Sequence, residues 1–484
     1  VYGVHNPSLS NVKRGVVERI FTVDYGNGLQ EPIAQTDKGF KSAVAPAWKY
    51  LRSHVPRVSK YSREQFLASY DDARLRRRYA DAADSTTIHS VNRSDSEVKT
   101  FVKAEKVNFS VKIDPAPRII SPRDPRYNYE LGLYIKPIEG ALYKELNRMC
   151  GGTTVMKGLN SLQVGAAIKE AWDEFSDPVA IAFDAARFDQ HTRSAALKFE
   201  HGVYKTYYSG HEREELAELL SWQLCYKCKS YTAEGVVKFV SKIRASGDMN
   251  TGLGTCLIAC SLVKSFCEVY CIKFRLINNG DDCVIIVERT QQILVEENLF
   301  DYCKTAGYWF VTEKPVYQIE HIEFCQSHPI ETERGWTMVR NFPNCLAKDC
   351  VSLLPLVSEA NWKKWAADVG RCGMALNAGV PVLYQFYAAL ERSGGGTFGN
   401  HPWISRTGAS ILSKGLKSDP VHISDAARIG FWEAFGWPPD YQRLVEEQYK
   451  TVVHDFKLGR AGNYTLNIPN PNAIHFSSNP IYSY

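Results

Sequence analysis

The stretch Phe274-Arg275-Leu276-Ile277-Asn278-Asn279-Gly280-Asp281-Asp282-Cys283-Val284-Ile285-Ile286-Val287 decides how this chain is read. Phe274 to Ile277 and Cys283 to Val287 are short, apolar and β-branched, the content of strands buried on both faces. The five residues between them are turn-formers, so the segment predicts a tight hairpin carrying two adjacent carboxylates at its tip. About a hundred residues earlier, Val179 to Phe183 forms a second buried strand that ends on Asp184. Side by side, the strands would bring Asp184 and Asp281 together. Like charges so close, next to apolar strands, require a cation. Oxygen-only ligands favour Mg²⁺ or Mn²⁺. Two such ions, about 3.5–4 Å apart by the general pattern, activate a hydroxyl and stabilise a departing pyrophosphate.

Around this centre the chain alternates strand-like and helix-like segments. Tyr61 to Tyr79 and Asn160 to Phe175 have helical apolar spacing, and Thr251 to Val269 reads as a buried helix with Cys256, Cys260, Cys267 and Cys271 on one face. Gln292 to Ala306 returns to helix. Val16 to Val23 looks β-like, residues 341–449 read as mainly helical, and the last 25 or so, rich in Asn, Pro, Ser and Tyr, as irregular. This pattern predicts an α+β core with an appended helical subdomain.

Composition sets the outer bounds. The 484 residues are 44% hydrophobic and 23% charged, ordinary globular usage that argues against wholesale disorder. No run reaches the ~18 uninterrupted apolar residues of a membrane span, since the best, Cys256 to Cys267, is broken by Lys264. A soluble chain is expected, and no secretory leader follows Val1. The 13 cysteines are odd in number and irregularly spaced, which points to a reducing compartment. Cys225 and Cys228 have zinc-ligand spacing but no second pair at finger-like distance. The net charge of +5 is too mild to imply nucleic acid by itself, but the basic residues cluster. Arg74, Arg76, Arg77 and Arg78 would line a template channel or cover a solvated helix face. Lys103, Lys106, Lys112, Arg118, Arg123 and Arg126 follow.

Four segments in order resemble the RNA-dependent RNA polymerases of positive-strand RNA viruses. Phe101-Val102-Lys103-Ala104-Glu105-Lys106, with Pro117-Arg118-Ile119-Ile120 and Pro122-Arg123, resembles that family's motif F. Asp184-Ala185-Ala186-Arg187-Phe188-Asp189 resembles motif A, Ser246-Gly247-Asp248-Met249-Asn250-Thr251 motif B, and Gly280-Asp281-Asp282 motif C. Val311-Thr312-Glu313-Lys314 is similar to motif D and His321 to Ser327 to motif E. Together with Gly15 to Phe21, the wording is nearest the tombusvirus family of plant viruses.

The resemblance implies a right-hand polymerase copying RNA from RNA. Residues 1–179 would be an N-terminal extension and fingers. Residues 180–340 would be a palm with a small antiparallel sheet and a fingers insertion at about 190–240, and residues 341–484 a helical thumb and tail. Asp184, Asp281 and Asp282 would hold two Mg²⁺, with Mn²⁺ as substitute, and Lys314 would protonate pyrophosphate. Lys103, Lys106 and Arg118 would meet the triphosphate. Asp189, Ser246, Thr251 and Thr255 would read the ribose, where relatives commonly carry Asn in place of Thr255. Arg123, Gly247 and Cys325 would contact RNA. Trp362, Trp365, Phe431, Trp432, Phe435 and Trp437 read as helical-subdomain core, or in part as stacking platforms. Partners would be template and product RNA, NTPs, other viral replication proteins and, through them, membranes in the host cytoplasm. Rival readings are a reverse transcriptase, which Asp189 disfavours, and a non-catalytic RNA-binding protein, which the intact carboxylates disfavour.

Overall fold

The structure, a computed structural model, describes residues 2–111, 113–353, 356, 358–395, 409–454 and 473–475, so Lys112 and most of the expected irregular tail lie outside the described residues. The strands include β1 (Pro178–Ala185), β2 (Tyr226–Thr232), β3 (Gly235–Ser241), β4 (Phe274–Asn279), β5 (Asp282–Glu288), β6 (Phe310–Thr312), β7 (Ser327–Thr332) and β8 (Gly335–Arg340). Four of them form one antiparallel sheet in the order β4-β5-β1-β6. Mixed helix and sheet in this arrangement is an α+β fold.

Both faces of this sheet are covered, which is why its strands are nearly continuous apolar runs. Val179, Ile181, Phe183 and Ala185 of β1, with Cys283, Ile285 and Val287 of β5, pack into the cluster that holds the Thr251–Val269 helix. Ala180, Val284 and Ile286 point the other way, against Val164, Ile168 and Ala171 of the Ser161–Trp172 helix. The Thr251–Val269 helix is long and apolar enough to cross a membrane, but most of it is buried in this interior. Cys256, Cys260 and Cys267 are buried on it, whereas Cys271 is exposed beyond its end at φ 53°.

Three local expectations are corrected. Val16 to Val23 is mostly helical: Leu9–Val16 runs into a π-helical turn, Val17–Phe21, and only Val23–Asp24 is strand. Ser8 caps the helix, Arg14 pairs with Glu18 at 2.7 Å, and Val12 and Val16 pack on Val102 and Ile119. Those contacts override β-branched propensity. The single helix read over Tyr61 to Tyr79 is two, Arg63–Ala68 and Ala73–Ile88, because the Asp72 side chain accepts from the Arg74 and Leu75 N–H groups and starts a new helix. Residues 473–475 are not irregular but pair as a strand, antiparallel with Tyr2–His5.

From Phe342 onward the described residues are mainly helical: Phe342–Lys348, Glu359–Asn377, Leu383–Ser393, Asp425–Phe435 and Pro439–Thr451. They surround a separate core that includes Trp362, Trp365 and Phe431, together with Ile330 of β7 and Val339 of β8. Phe435 and Trp437 are partly buried against it, while Trp432 is 46% exposed.

Arg123 is interior rather than RNA-facing. Its guanidinium pairs with Asp248, donates to the Ser96 carbonyl at 2.6 Å, and stacks over Tyr226 at 4.4 Å. Such a buried pair adds little net stability, yet losing one partner strands the other charge at about 3–5 kcal/mol. Arg123→Ala should therefore lower the urea-unfolding free energy by about that amount, and the double variant Arg123→Met/Asp248→Leu should regain most of it. Equal destabilisation by the single and double variants would show that the pair is not what Arg123 contributes.

Candidate active site

The antiparallel register pairs Asp184 of β1 directly with Asp282 of β5. Directly opposed residues project from the same face, so the two carboxylates lie side by side. They continue the rows of Ala180 and Ala182, and of Val284 and Ile286, to the sheet end. Asp281 stands in the two-residue turn between β4 and β5. Gly280, at φ 91°, takes the first turn position, where a positive φ is needed. Asn278 props this turn from below: its amide donates to the Gly280 carbonyl at 2.8 Å and its oxygen accepts from the Gly280 N–H at 3.3 Å.

The electrostatics agree with three gathered carboxylates. Asp184 is reached by solvent, yet desolvation in the cleft and the charges of Asp281 and Asp282 push it up to about 6. Desolvation and Asp281 likewise raise Asp282. Among the described residues no such group closes into a ready-made metal cage. The donor chemistry nevertheless fits a hard divalent cation, because the acidic cluster is oxygen-only and self-repelling.

On one side of the cluster stands Asp189, in the short helix Phe188–His191. Burial raises it to about 6, with Asp281 and Asp248 pushing the same way and Arg244 and Arg118 opposing. Arg244 was invisible as a site residue in the sequence. It is buried, pairs with Glu200, and donates to the Thr255 hydroxyl at 2.9 Å. Glu200 also accepts from Asn250 at 2.6 Å and Tyr204 at 2.7 Å. The Thr255 hydroxyl in turn donates to the Thr251 carbonyl at 2.7 Å, so it is already engaged within this network.

The segment Pro117 to Arg123 is laced to the loop 244–250. Ser246 donates to the Ile119 carbonyl at 2.9 Å, Thr251 closes its own loop on the Ala245 carbonyl at 3.0 Å, and Gly247 bridges Pro122. A Cβ on Gly247 would stand 2.6 Å from the Pro122 nitrogen. The close approach that glycine permits here includes one to the Pro122 backbone. Lys103 and Arg118 share one counter-ion, Glu105, at 3.0 and 3.1 Å. Lys106 is not with them. It donates to the Lys348 carbonyl at 2.6 Å, where burial lowers it to about 8.

On the other side is Cys325. Its thiol donates to Asp282 at 3.4 Å and accepts from Asn279 at 3.2 Å, and burial pushes it up to about 12. Cys325 and Gln326 both have positive φ, 51° and 58°, in a two-residue turn closed by Phe324 and Ser327. Turns of this kind favour Asn-Gly, so local propensity does not announce it, and only the resemblance of His321 to Ser327 to motif E pointed to a turn here. Lys157 is a further omission. Its exposed ammonium lies 3.7 Å from where a Gly280 Cβ would stand. Lys314 is exposed beyond β6. Val311 is the residue opposite Asp184, and from there the chain runs past Phe183 and Ala182, away from the carboxylate end of β1, before reaching Lys314. Arg74, Arg76, Arg77 and Arg78 are exposed on the Ala73–Ile88 helix.

A family model described as viral RNA dependent RNA polymerase matches residues 1–456. The chain belongs to that family. Among curated relatives named RNA-directed RNA polymerase, that of Turnip crinkle virus is 40% identical over 457 residues, covering 93% of this chain and 58% of the relative. That of Tobacco necrosis virus (strain D) is 39% identical, covering 93% and 63%, and that of Carnation mottle virus 39%, covering 95% and 60%. This chain thus spans roughly three fifths of these viral polymerases. In a viral polymerase family, the Asp184–Asp282 pair and the Gly280–Asp281 turn stand as the candidate catalytic centre.

Proposed function

We propose that this chain carries out template-directed RNA synthesis on an RNA template, replicating a positive-strand viral genome. The observation that carries this reading is the register pairing of Asp184 with Asp282 beside the Gly280–Asp281 turn, in a chain of the viral polymerase family. A right-hand layout accords with it. The antiparallel sheet would be the palm, the segments laced at Ile119 and Ser246 part of the fingers, and the helices from Phe342 the thumb.

Asp184, Asp281 and Asp282 would hold two Mg²⁺, which supply activation of the 3′-hydroxyl and neutralise charge on the leaving pyrophosphate. The chain's own groups do the rest. Lys103 and Arg118, loosely paired through Glu105, would exchange that shared carboxylate for the triphosphate. Asp189, whose charge Arg244 favours, would accept a hydrogen bond from the ribose 2′-hydroxyl. Lys314 would give a proton to pyrophosphate. RNA, NTPs and other viral replication proteins on a host membrane are the partners this reading implies.

Primer extension on one RNA template, comparing ATP with dATP in Mg²⁺, tests the reading and the role of Asp189 together. The parent should prefer ATP. A hydrogen bond to a charged group is worth about 1.5–3 kcal/mol, roughly 10–200-fold. Asp189→Ala should reduce the ATP-to-dATP ratio of kcat/KM by about that factor, mainly by slowing ATP. Equal loss of both substrates would make Asp189 a support of the fold. A parent preference for dATP would favour a reverse transcriptase.

A further inference from the structure

Lys157 stands on a rigid base at the carboxylate turn. The Asn278 N–H donates to the Thr154 carbonyl at 2.8 Å, and the Met156 N–H donates back to the Asn278 carbonyl at 2.9 Å. The Asn147 side chain accepts from the Thr154 and Val155 N–H groups at 3.0 and 2.8 Å. Gly158, at φ 81°, turns the chain immediately after Lys157. The loop is therefore fastened to the same Asn278 that props Gly280, while the lysine side chain is exposed to solvent.

Two sets of charges flank the cluster, and both include Asp281. Asp189 feels Arg244, Asp281, Asp248 and Arg118. Asp282 feels Asp281, Lys157 and Glu323, and hydrogen-bonds Cys325. Nucleotidyl transfer joins two polyanions at one set of carboxylates, an incoming nucleotide and the 3′ end of a growing strand. Lys103, Arg118 and Asp189 serve the first. The second also brings phosphates to the turn and requires its own cation.

Resting on the polymerase reading above, we propose that Lys157 is a positioning residue that binds a backbone phosphate next to the 3′ terminus of the growing RNA strand. Its exposed ammonium would meet that phosphate as the strand end seats. The anchored loop would hold the contact in register with the Asp281 and Asp282 turn.

The test uses a 3′-recessed RNA primer–template with Lys157→Ala and Lys157→Arg chains. Lys157→Ala should weaken duplex binding about tenfold and flatten the log–log salt dependence by close to one counter-ion. NTP KM should stay within a few-fold of the parent, the single-turnover rate at saturating duplex should fall as the strand end loses register, and Lys157→Arg should restore both binding and rate. Unchanged duplex affinity with a shifted Mg²⁺ half-saturation would overturn the proposal, as would a rise confined to NTP KM. Failure of the polymerase reading is separately visible, as a parent that binds duplex without adding any nucleotide.

Discussion

An Asp281→Ala chain is expected to bind RNA as its parent does and to add no nucleotide. The carboxylate lies in the turn between β4 and β5, so its loss disturbs no strand pairing. Its charge is one of those that raise Asp184 and Asp282, which marks it as part of the same acidic cluster. Cation chemistry of this type supplies several kcal/mol to the transition state, so single-turnover incorporation should fall about 10³-fold or more. RNA affinity comes mainly from cationic contacts with phosphates and should change little. Quench-flow incorporation and fluorescence anisotropy read the two quantities separately. Incorporation within tenfold of the parent would remove Asp281 from the catalytic centre.

Lys314→Leu carries the second large effect. General acid catalysis contributes typically about 10²–10⁴-fold, and a loss in that range is expected in the single-turnover rate. Val311 is paired with Asp184 on the neighbouring strand, β6 ends at Thr312, and Lys314 follows it exposed. NTP KM should move less than the rate, because protonation of a leaving group is made in the transition state. A defect confined to KM would turn Lys314 into a binding residue. Loss of the solvent isotope effect on addition in Lys314→Leu would corroborate a proton donated by the ammonium.

What the residues reveal without coordinates follows from local chemistry. Val179 to Phe183 and Cys283 to Val287 are apolar on both faces, and a covered strand is legible from that alone. The turn is legible because Asn278 to Asp282 are turn-formers, although the structure narrows it to Gly280 and Asp281 and makes Asp282 the first residue of β5. The Thr251–Val269 helix was readable to its ends, since a long apolar run without alternation has few other solutions. Local chemistry thus placed Asp184 at a strand end and Asp281 and Asp282 at a hairpin, and the family resemblance implied that the three act as one site.

The tertiary structure decided matters in which each residue has two good local options. Arg123 and Lys106 are basic residues in a basic run, and nothing local separates a phosphate ligand from a buried partner of Asp248 or a donor to the Lys348 carbonyl. Gly247 is permissive wherever backbones approach, and only packing shows that the neighbour is Pro122. Val16 to Val23 favours strand by propensity, but a cap, an ion pair and two buried valines make it mostly helix. Arg244, Glu200 and Lys157 reach the site through contacts from separate parts of the chain. Burial, register and charge neighbours arise from long-range packing, which sequence spacing does not encode, so what the sequence determined by itself was the identity of the carboxylates, and what the fold decided was the company they keep.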